Sequence, residues 1–368
     1  MNTIHWIGAG LSAGPGIQRL AQTTYPLTLW NRTIEKADQV ISGFEREGLK
    51  TKSFNLASFE KSLGAEDIVV SMLPAPMHPE IAKICLKKQA HFVSTSYLSD
   101  AMKSMDSDAK TLGLTFLNEV GLDPGIDHLM AHHLVAQWKN SSAFDPSAEL
   151  YFRSYCGGFP KVPNEFKYKF SWSPVGVLRA LKTPASYVDS GKAISTSTPW
   201  KNLWNFEIEG ETFEVYPNRN SLPYQQEYHF DPQWNIQHFC RGTLRLKGWS
   251  DAWTSASVFD TVEHSPIEEL EILSDKLWEK YRYQENELDR VVLFVEIEAK
   301  KKETTLWKSS HFLDESGPPS HSAMAKLVSL PATLGVEMII EGRAKPGVQG
   351  APEDPIEIER WFSALGLK

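Results

Sequence analysis

A glycine-rich loop directly after a short apolar run constrains the fold of this chain more than any other feature. The apolar run Ile4–Ile7 leads into the loop Gly8-Ala9-Gly10-Leu11-Ser12-Ala13. Gly8 permits a tight turn, Gly10 lets the backbone approach a phosphate, and Ala13 stands where a third small residue allows a helix to pack closely on a strand. Exposed N–H groups at the start of such a helix bind the pyrophosphate of a dinucleotide. The cofactor-binding residues predicted here are Gly8, Ala9, Gly10, Leu11 and Ser12, and the alternative is a strand-to-helix turn without a ligand.

Residues 1–128 alternate strand-like and helix-like segments, which predicts an α/β domain with a Rossmann-type, doubly wound parallel sheet. Helical patterns lie between the strands, for example at Pro79–Lys88 and Asp100–Leu112. The predicted strands are Ile4–Ile7, Leu27–Trp30, Lys52–Asn55, Ile68–Met72, Phe92–Ser94 and Thr115–Asn118.

The end of the second predicted strand favours NADP(H) as the cofactor. Enzymes that bind NAD carry an acid at this position for the ribose hydroxyls, whereas an arginine accommodates the 2′-phosphate of NADP. Here the strand ends in Trp30-Asn31-Arg32-Thr33, without an acid. Arg32 can pair with the phosphate, and Asn31 and Thr33 can donate hydrogen bonds, so these three residues are predicted to bind the cofactor. The alternative for Arg32 is a solvated surface side chain.

Residues 129–322 differ in composition from the first segment and are rich in aromatic residues and in Gly/Pro turns. This composition predicts a second, α+β domain on an open, mainly antiparallel sheet. Ile267–Tyr283 has helical spacing of its apolar residues, and the run Lys300–Glu303 predicts a hairpin tip. We expect this domain to bind substrate and to form a homodimer, and residues 323–368 to return as helix to the Rossmann domain. The predicted strands are Leu203–Glu209, Thr212–Tyr216, Phe239–Leu246 and Arg290–Ala299.

The bulk composition narrows the class of protein. A formal net charge of -8 argues against general nucleic-acid binding. The three cysteines are too far apart for a disulfide framework or a zinc pattern, which favours a reducing compartment. The first residues already predict a strand rather than a signal peptide, and no apolar run is judged long enough for a membrane helix. A cytoplasmic protein without membrane partners is expected.

Six further segments stand out because they combine turn residues with acids, arginines or hydroxyl groups. The first follows an apolar strand-like run and has Asp-Pro and Pro-Gly pairs that favour a turn. The segments are Asn118–His128, Ser94–Tyr97, Tyr155–Pro160, Tyr168–Pro174, Tyr216–Arg219 and Arg241–Arg245.

In these segments and in the Gly8 and Arg32 regions, nearly the full chain resembles the saccharopine dehydrogenase family, and within it the NADP-dependent, glutamate-forming members. The resemblance implies oxidation of saccharopine with NADP⁺ and water to glutamate, 2-aminoadipate 6-semialdehyde and NADPH. Related shorter enzymes act on lysine or on carboxynorspermidine, so lysine 6-dehydrogenase and carboxynorspermidine dehydrogenase are alternatives. A further alternative is an NADP(H)-binding sensor or partner-binding module without turnover. One departure is that Trp249–Asn286 is short where larger members carry a long helical insertion.

The resemblance also implies the site residues. Arg219 and Arg241 would bind carboxylates of a multiply anionic substrate, since arginine pairs with carboxylates in a bidentate manner. Asp123 would face the bridging amine, where its negative charge favours the ammonium and the iminium; its alternative is a turn former. The full predicted substrate set is Ser96, Tyr97, Asp123, Arg219, Arg241, Gly242 and Thr243.

The proton carrier is left open by the sequence. Asp123, Cys156 and Tyr97 are the catalytic candidates, with Lys169 and His128 behind them. Cys156 is either a thiol of low pKa in a glycine-rich turn or a small buried residue. His128 and His132 lie one helical turn apart, but no third ligand follows at a recognisable spacing, so no metal is predicted.

Overall fold

The computed structural model describes residues 2–367, which form two compact units. The first unit contains residues 2–128 together with Ala325–Leu367, and the second contains Leu129–Met324. The strands are β1 (Ile4–Ile7), β2 (Leu27–Asn31), β3 (Leu49–Ser53), β4 (Ile68–Ser71), β5 (His91–Ser94), β6 (Thr115–Leu117), β7 (Glu149–Pro160), β8 (Ala185–Asp189), β9 (Lys192–Thr196), β10 (Trp204–Ile208), β11 (Glu211–Pro217), β12 (Asn235–Leu246), β13 (Asp289–Lys301), β14 (Thr304–Gly317) and β15 (Gly347–Gln349). The helices are α1 (Gly14–Ala21), α2 (Ile34–Val40), α3 (Leu56–Ser62), α4 (His78–Lys88), α5 (Asp100–Lys103), α6 (Asp106–Thr111), α7 (Ile126–Asn140), α8 (Pro174–Leu181), α9 (Pro223–Glu227), α10 (Trp249–Ser255), α11 (Val258–His264), α12 (Ile267–Tyr281), α13 (Ala323–Ile340) and α14 (Pro355–Leu365).

The first unit is built on a parallel sheet of 7 strands in the order β15-β6-β5-β4-β1-β2-β3. Its central strands β1 and β4 are buried along their whole length, which explains why they consist of short, continuous apolar runs. From β1 the sheet grows in one direction through β2 and β3 and in the other through β4, β5 and β6, so the topological switch point lies between β1 and β4. Ligands of such sheets bind beyond the carboxyl ends of the strands at this point. The predicted Rossmann-type sheet is confirmed.

Helix α1 packs on β1 through Gly16 rather than through Ala13. A Cβ atom at Gly16 would lie 2.8 Å from the Trp6 ring and 2.7 Å from the backbone oxygen of Ser329. The Gly16 N–H also donates to the Ser329 hydroxyl at 2.8 Å. Ala13 is buried at the N-cap of the helix, so the close approach predicted for Ala13 occurs one helical turn later.

The second unit is built on a mixed sheet of 8 strands, whose main path is β10-β11-β12-β7-β13-β14. Strands β7 and β12 are parallel, and the other neighbours along this path are antiparallel. The β8–β9 hairpin joins the sheet by pairing with β12. The predicted open, mainly antiparallel sheet is therefore confirmed, with one parallel pair that the sequence did not indicate.

The glycine-rich turn predicted at Tyr155–Pro160 is wrong. These residues form the second half of β7, the strand between β12 and β13. Gly157 permits close contact with β12, because a Cβ atom there would overlap the carbonyl oxygen of Leu244 and lie 2.8 Å from its Cβ. Glycine in a strand marks such close approaches as well as turns, and here the former applies.

Other boundaries differ from the sequence prediction where local packing decides them. The helix predicted over Asp100–Leu112 is divided into α5 and α6. Strands β8, β9 and β15 were not predicted, so the segment 323–368, which was expected to be helical, also contains a strand of the parallel sheet. Strand β14, the second arm of the predicted hairpin, alternates exposed and more buried residues as an edge strand does. The hairpin predicted at Lys300–Glu303 is confirmed, since β13 ends at Lys301 and β14 begins at Thr304.

The expectation that no apolar run is long enough for a membrane helix is corrected at one segment. Pro319–Ile340, which contains α13, is long and apolar enough to cross a membrane by length and composition alone. However, 72% of its most apolar window is buried inside the protein. A buried core helix passes the same compositional test, so the segment is weak evidence for a membrane span.

We predict that Gly157→Ala destabilises the protein by about 2 kcal/mol or more, because the added methyl group must separate β7 from β12. Urea unfolding of the variant measures this change. Gly14→Ala is the matched control, since a Cβ atom at Gly14 meets nothing within 4 Å. A Gly157→Ala protein as stable as the Gly14→Ala control would contradict the close packing described here.

Candidate active site

The loop between β1 and α1 has the geometry of a phosphate cradle. Gly8 has a φ of 103°, a backbone conformation that other residues adopt only with strain. Its N–H donates to the Trp30 carbonyl at 2.8 Å, and a Cβ atom there would lie 3.2 Å from the Met72 carbonyl oxygen. Gly10 is exposed, and a Cβ atom on it would meet nothing within 4 Å. Backbone N–H groups of this loop are therefore accessible to a ligand at the switch point of the sheet.

The end of β2 supports this loop and presents a cation. The Asn31 side-chain oxygen accepts a hydrogen bond from the Ala9 N–H at 3.1 Å, and its amide group donates to the Thr33 carbonyl at 2.7 Å. Arg32 is exposed, and no residue between 2 and 367 forms an ion pair with it. This donor set fits a 2′-phosphate, whereas a ribose diol bound through an acid does not fit, because β2 ends without one.

The turn after β5 is fixed by a buried histidine that the sequence interpretation missed. His78 hydrogen-bonds through Nε2 with the Ser96 hydroxyl at 2.8 Å and through Nδ1 with the Ser71 hydroxyl at 3.1 Å. Burial lowers the pKa of His78 from 6.5 to about 4. The ring is therefore neutral near pH 7, with one nitrogen donating and the other accepting. His78 thus orients Ser96, one of the predicted substrate-binding residues.

The turn after β6 positions Asp123 beside Tyr97. The Tyr97 hydroxyl donates to the Asp123 carboxylate at 2.9 Å, and both side chains are partly exposed. Gly125 has a φ of 147°, and a Cβ atom there would overlap the backbone of Gly121. The Asp127 carboxylate accepts from the Gly125 N–H at 2.7 Å. The structure therefore brings together two of the three predicted catalytic residues.

Glu119 holds the Tyr97 turn in place and was also missed as a site residue. Its backbone N–H donates to the Ser96 carbonyl at 3.0 Å, and its carboxylate accepts from the Leu98 N–H at 3.0 Å. Glu119 is buried, has a φ of 57°, and lies 3.6 Å from Nε2 of the equally buried His128. A left-handed conformation at a residue other than glycine persists only where surrounding contacts enforce it. The hydrogen bonds on both sides of Tyr97 provide that enforcement.

In the second unit, the backbones of the two predicted arginines are close together where β11 ends next to β12. The Asn218 N–H donates to the Arg241 carbonyl at 2.8 Å, which places the Arg219 backbone beside β12. Arg219 is exposed and has a φ of 56°. Arg241 is buried, and its guanidinium lies 4.2 Å from the centre of the Tyr224 ring. Cation–π stacking of this kind orients a guanidinium for pairing with an anion.

Strand pairing places the remaining second-unit candidates next to Arg241. Gly242 lies opposite Pro217 and Tyr155, and a Cβ atom there would be 3.0 Å from the Tyr155 ring. Thr243 lies opposite Cys156 in the parallel β7–β12 pair. Cys156 is buried in the middle of β7 and does not lie in a turn. Its role as a proton carrier stays a prediction.

Lys169, a weaker candidate for the proton carrier, and two histidines of α7 contact other side chains in the structure. Lys169 forms an ion pair with Glu287, with Nζ–oxygen distances of 2.6 Å and 2.5 Å. His132 packs edge-on against Tyr228, and His133 hydrogen-bonds with His311 at 2.7 Å. The histidines of α7 that were compared with a metal motif thus contact different groups.

The fold and these clusters define a class of protein, a Rossmann-type dinucleotide-binding oxidoreductase with a second, sheet-based domain. Sequence comparison then gives the family. The saccharopine dehydrogenase NADP binding domain matches residues 4–117, and the saccharopine dehydrogenase C-terminal domain matches residues 121–365. The chain belongs to the saccharopine dehydrogenase family. The predicted family and the predicted cofactor, NADP, are confirmed by these matches.

Individual relatives agree with this assignment. Saccharopine dehydrogenase (NADP+, L-glutamate-forming) of Pyricularia oryzae is 29% identical over 417 aligned residues, which cover 91% of this chain and 90% of the relative. Mitochondrial alpha-aminoadipic semialdehyde synthase of Mus musculus is 33% identical over 67% of this chain, but the match covers only 27% of that protein. The solved apo saccharopine dehydrogenase (L-Glu forming) of Saccharomyces cerevisiae superposes with a TM-score of 0.82 at 25% identity, covering 100% of this chain and 98% of that one.

We predict that Arg32→Asp weakens NADP⁺ binding at least about tenfold, because the substitution replaces the partner of the 2′-phosphate with a like charge. Calorimetric titration with NADP⁺ measures the affinity. Lys36→Asp is the matched control, since Lys36 is an exposed cation on α2 and its loss changes the net charge equally. Equal NADP⁺ affinities in wild type and Arg32→Asp would show that Arg32 does not bind the phosphate.

We predict that His78 makes the fold sensitive to acid. The lowered pKa means that the folded state binds fewer protons than the unfolded state between pH 6.5 and about 4. Stability present above pH 6.5 is therefore lost as the pH falls through this window, by up to about 3 kcal/mol. His78→Gln should flatten the pH dependence of the unfolding free energy in this window.

Urea unfolding at a series of pH values checks this expectation. His264→Gln is the matched control for the substitution, because the His264 side chain is 69% exposed. A slope that is the same in His78→Gln and in wild type would refute the assignment.

Proposed function

We propose that this chain is an NADP-dependent saccharopine dehydrogenase of the glutamate-forming type, acting in lysine metabolism. The reaction converts saccharopine, NADP⁺ and water to glutamate, 2-aminoadipate 6-semialdehyde, NADPH and a proton. The observation that carries the proposal is the Tyr97–Asp123 pair, which lies beyond the carboxyl ends of β5 and β6 in the NADP-binding domain. The names of the P. oryzae and S. cerevisiae relatives support the same reaction.

The charge of Asp123 suits the nitrogen chemistry of this reaction. Saccharopine is a secondary amine, and its nitrogen becomes part of a cationic iminium when the neighbouring carbon is oxidised. A fixed carboxylate stabilises that developing positive charge, and it does so most effectively when it is already oriented. The Tyr97 hydroxyl provides the orientation by donating to one carboxylate oxygen. Asp123 is the proposed charge partner of the reacting nitrogen.

The arginines suit the carboxylates of the same substrate. Saccharopine carries three carboxylates, and an acidic protein needs local cations to bind them. Arg241 and Arg219 have neighbouring backbones where β11 ends next to β12, and we assign the two side chains to the two carboxylates of the glutamate part. Ser96, Tyr97 and Thr243 donate hydrogen bonds to the substrate in this proposal.

The protein contributes binding, orientation and proton transfer. When bound, NADP⁺ supplies the hydride acceptor. The loop residues Gly8 and Gly10 would hold its pyrophosphate, and Arg32 its 2′-phosphate. Oxidation requires that the secondary ammonium first lose a proton, and Asp123, Tyr97 and Cys156 are the candidate acceptors. After oxidation, water adds to the iminium and the C–N bond breaks, releasing glutamate and the semialdehyde.

The substrate is tested by steady-state assays with NADP⁺ against saccharopine, lysine and carboxynorspermidine in parallel. The proposal expects turnover of saccharopine at the highest kcat/KM of the three. Lysine has a single carboxylate and does not require both Arg219 and Arg241. If only lysine or only carboxynorspermidine is turned over, saccharopine is not the substrate and the compound that reacts takes its place in the assignment. NADP⁺ binding without any substrate-dependent formation of NADPH would support the non-catalytic alternative.

We predict that Asp123→Asn lowers kcat roughly a hundredfold or more, because asparagine keeps the shape and the hydrogen bond from Tyr97 but removes the charge. Stopped-flow and steady-state assays with saccharopine measure the loss, and NADP⁺ affinity should stay within about twofold. Asp189→Asn, an exposed acid of the second unit, is the control. An Asp123→Asn enzyme with wild-type kcat would remove Asp123 from the mechanism.

We also propose a cytoplasmic homodimer with a small-molecule substrate and without nucleic-acid or membrane partners. Cys85, Cys156 and Cys240 are buried and form no disulfide among the described residues, which suits a reducing compartment. The edge strand β14 exposes Phe312, which suits a contact with a second copy. Sedimentation equilibrium that gives the mass of a monomer at micromolar concentration would contradict the dimer.

A further inference from the structure

We propose that Arg245 is a third anion-binding residue of the substrate site and receives the lysine-derived carboxylate of saccharopine. The inference rests on the proposed function and names the part of the substrate that this residue recognises. It also assigns a role to an arginine that the sequence interpretation left outside the site.

Arg245 is buried and surrounded by aromatic rings. Its side chain and backbone together are 6% exposed, and its guanidinium lies 5.0 Å from the centre of the Tyr168 ring, 5.3 Å from that of Trp249 and 5.5 Å from that of Tyr216. One terminal nitrogen donates to the Tyr216 hydroxyl and the other to the Leu244 carbonyl, each at 3.0 Å. Within residues 2–367 no carboxylate pairs with it, and its Nε has no acceptor.

Other arginines of the second unit show that this arrangement is unusual. Arg290 also lies over two aromatic rings, but it forms ion pairs with Glu211 at 2.8 Å and with Asp314 at 2.7 Å. Arg153 pairs with Glu296 at 2.6 Å and Glu298 at 3.4 Å. Arg245 is more deeply buried than either and has no acid beside it.

A buried guanidinium without an acid needs a ligand to complete its hydrogen bonds. Uncompensated burial of a charge is strongly unfavourable, and stacking on aromatic rings offsets only part of that cost. The indole N–H of Trp249 next to Arg245 is likewise buried without an acceptor among the described residues. Two neighbouring donors that lack acceptors suit a carboxylate, which offers two oxygens.

The position of Arg245 along β12 suggests which carboxylate it binds. Arg241, Thr243 and Arg245 alternate along β12, so they face the same side of the sheet, and Arg245 lies about 13 Å from Arg241 along the strand. Arg219 and Arg241 are neighbours and match the two carboxylates of the glutamate part. The lysine-derived carboxylate is at the opposite end of saccharopine, and the separate position of Arg245 matches it.

The test combines a variant with a substrate that lacks the carboxylate in question. N-(5-aminopentyl)glutamate is saccharopine without its lysine-derived carboxylate. Arg245→Gln should lower kcat/KM for saccharopine roughly tenfold to a hundredfold, mainly through KM, and change that of the truncated substrate less than about threefold. Arg245→Lys keeps the charge without the fork of donors and should fall between the two.

A structural role predicts a different pattern. Loss of the ring contacts would reduce kcat/KM for both substrates in parallel, and this result would overturn the inference. Arg290→Gln is the control for such an effect, because it removes a comparable arginine and should lower the melting temperature while affecting both substrates equally. If Arg245→Gln does not fold, the comparison is made with Arg245→Lys.

The outcome is also separable from the proposed function. Wild-type enzyme that does not oxidise saccharopine contradicts the proposed function. Calorimetric binding of saccharopine and of the truncated compound to wild type and Arg245→Gln then decides the role of Arg245 alone. Saccharopine affinity that is equal in the two proteins, or losses that are equal for the two compounds, would contradict it.

Discussion

The close approach of Gly125 to Gly121 is the contact on which the chemistry of the first unit depends. Any side chain at Gly125 would overlap the Gly121 backbone, and the φ of 147° excludes other residues as well. The turn closed by this contact holds Asp123 against the Tyr97 hydroxyl. Glu119, at the start of the same segment, binds the backbone on both sides of Tyr97. The carboxylate and its hydrogen-bond donor are therefore fixed before a substrate arrives, which is the condition for effective electrostatic stabilisation.

The distribution of arginines completes this account in an acidic protein. The formal net charge is -8, so the chain can bind a substrate with three carboxylates only where positively charged side chains are concentrated locally. Arg153 and Arg290 are neutralised by their own acids, so they serve the fold. Arg32 is exposed near the dinucleotide loop, and Arg245 is buried without an acid. Arg32 and Arg245, which form no ion pair with an acid among residues 2–367, are assigned to a phosphate and to a carboxylate group.

Much of the fold could be predicted because its strongest signals are local. The buried strands of the parallel sheet are short apolar runs, and the Gly8 loop is contiguous in sequence. Strand β7 was missed because glycine marks both turns and close packing, and only the position of Leu244 decides between them. His78 was missed because its partner Ser96 is 18 residues away. Arg245 stands within a recognised segment, but its lack of an acid is visible only when the surrounding chain is folded.

The most direct test of the account is to follow deuterium from saccharopine labelled at the lysine-derived carbon that bears the bridging nitrogen. With wild-type enzyme and NADP⁺, mass spectrometry should find one deuterium on NADPH, with glutamate and monodeuterated 2-aminoadipate 6-semialdehyde as products. This result shows that the C–N bond on the lysine side is oxidised. Lysine and 2-oxoglutarate as products, with no deuterium on NADPH, would mean that the other C–N bond is oxidised, and would contradict the account.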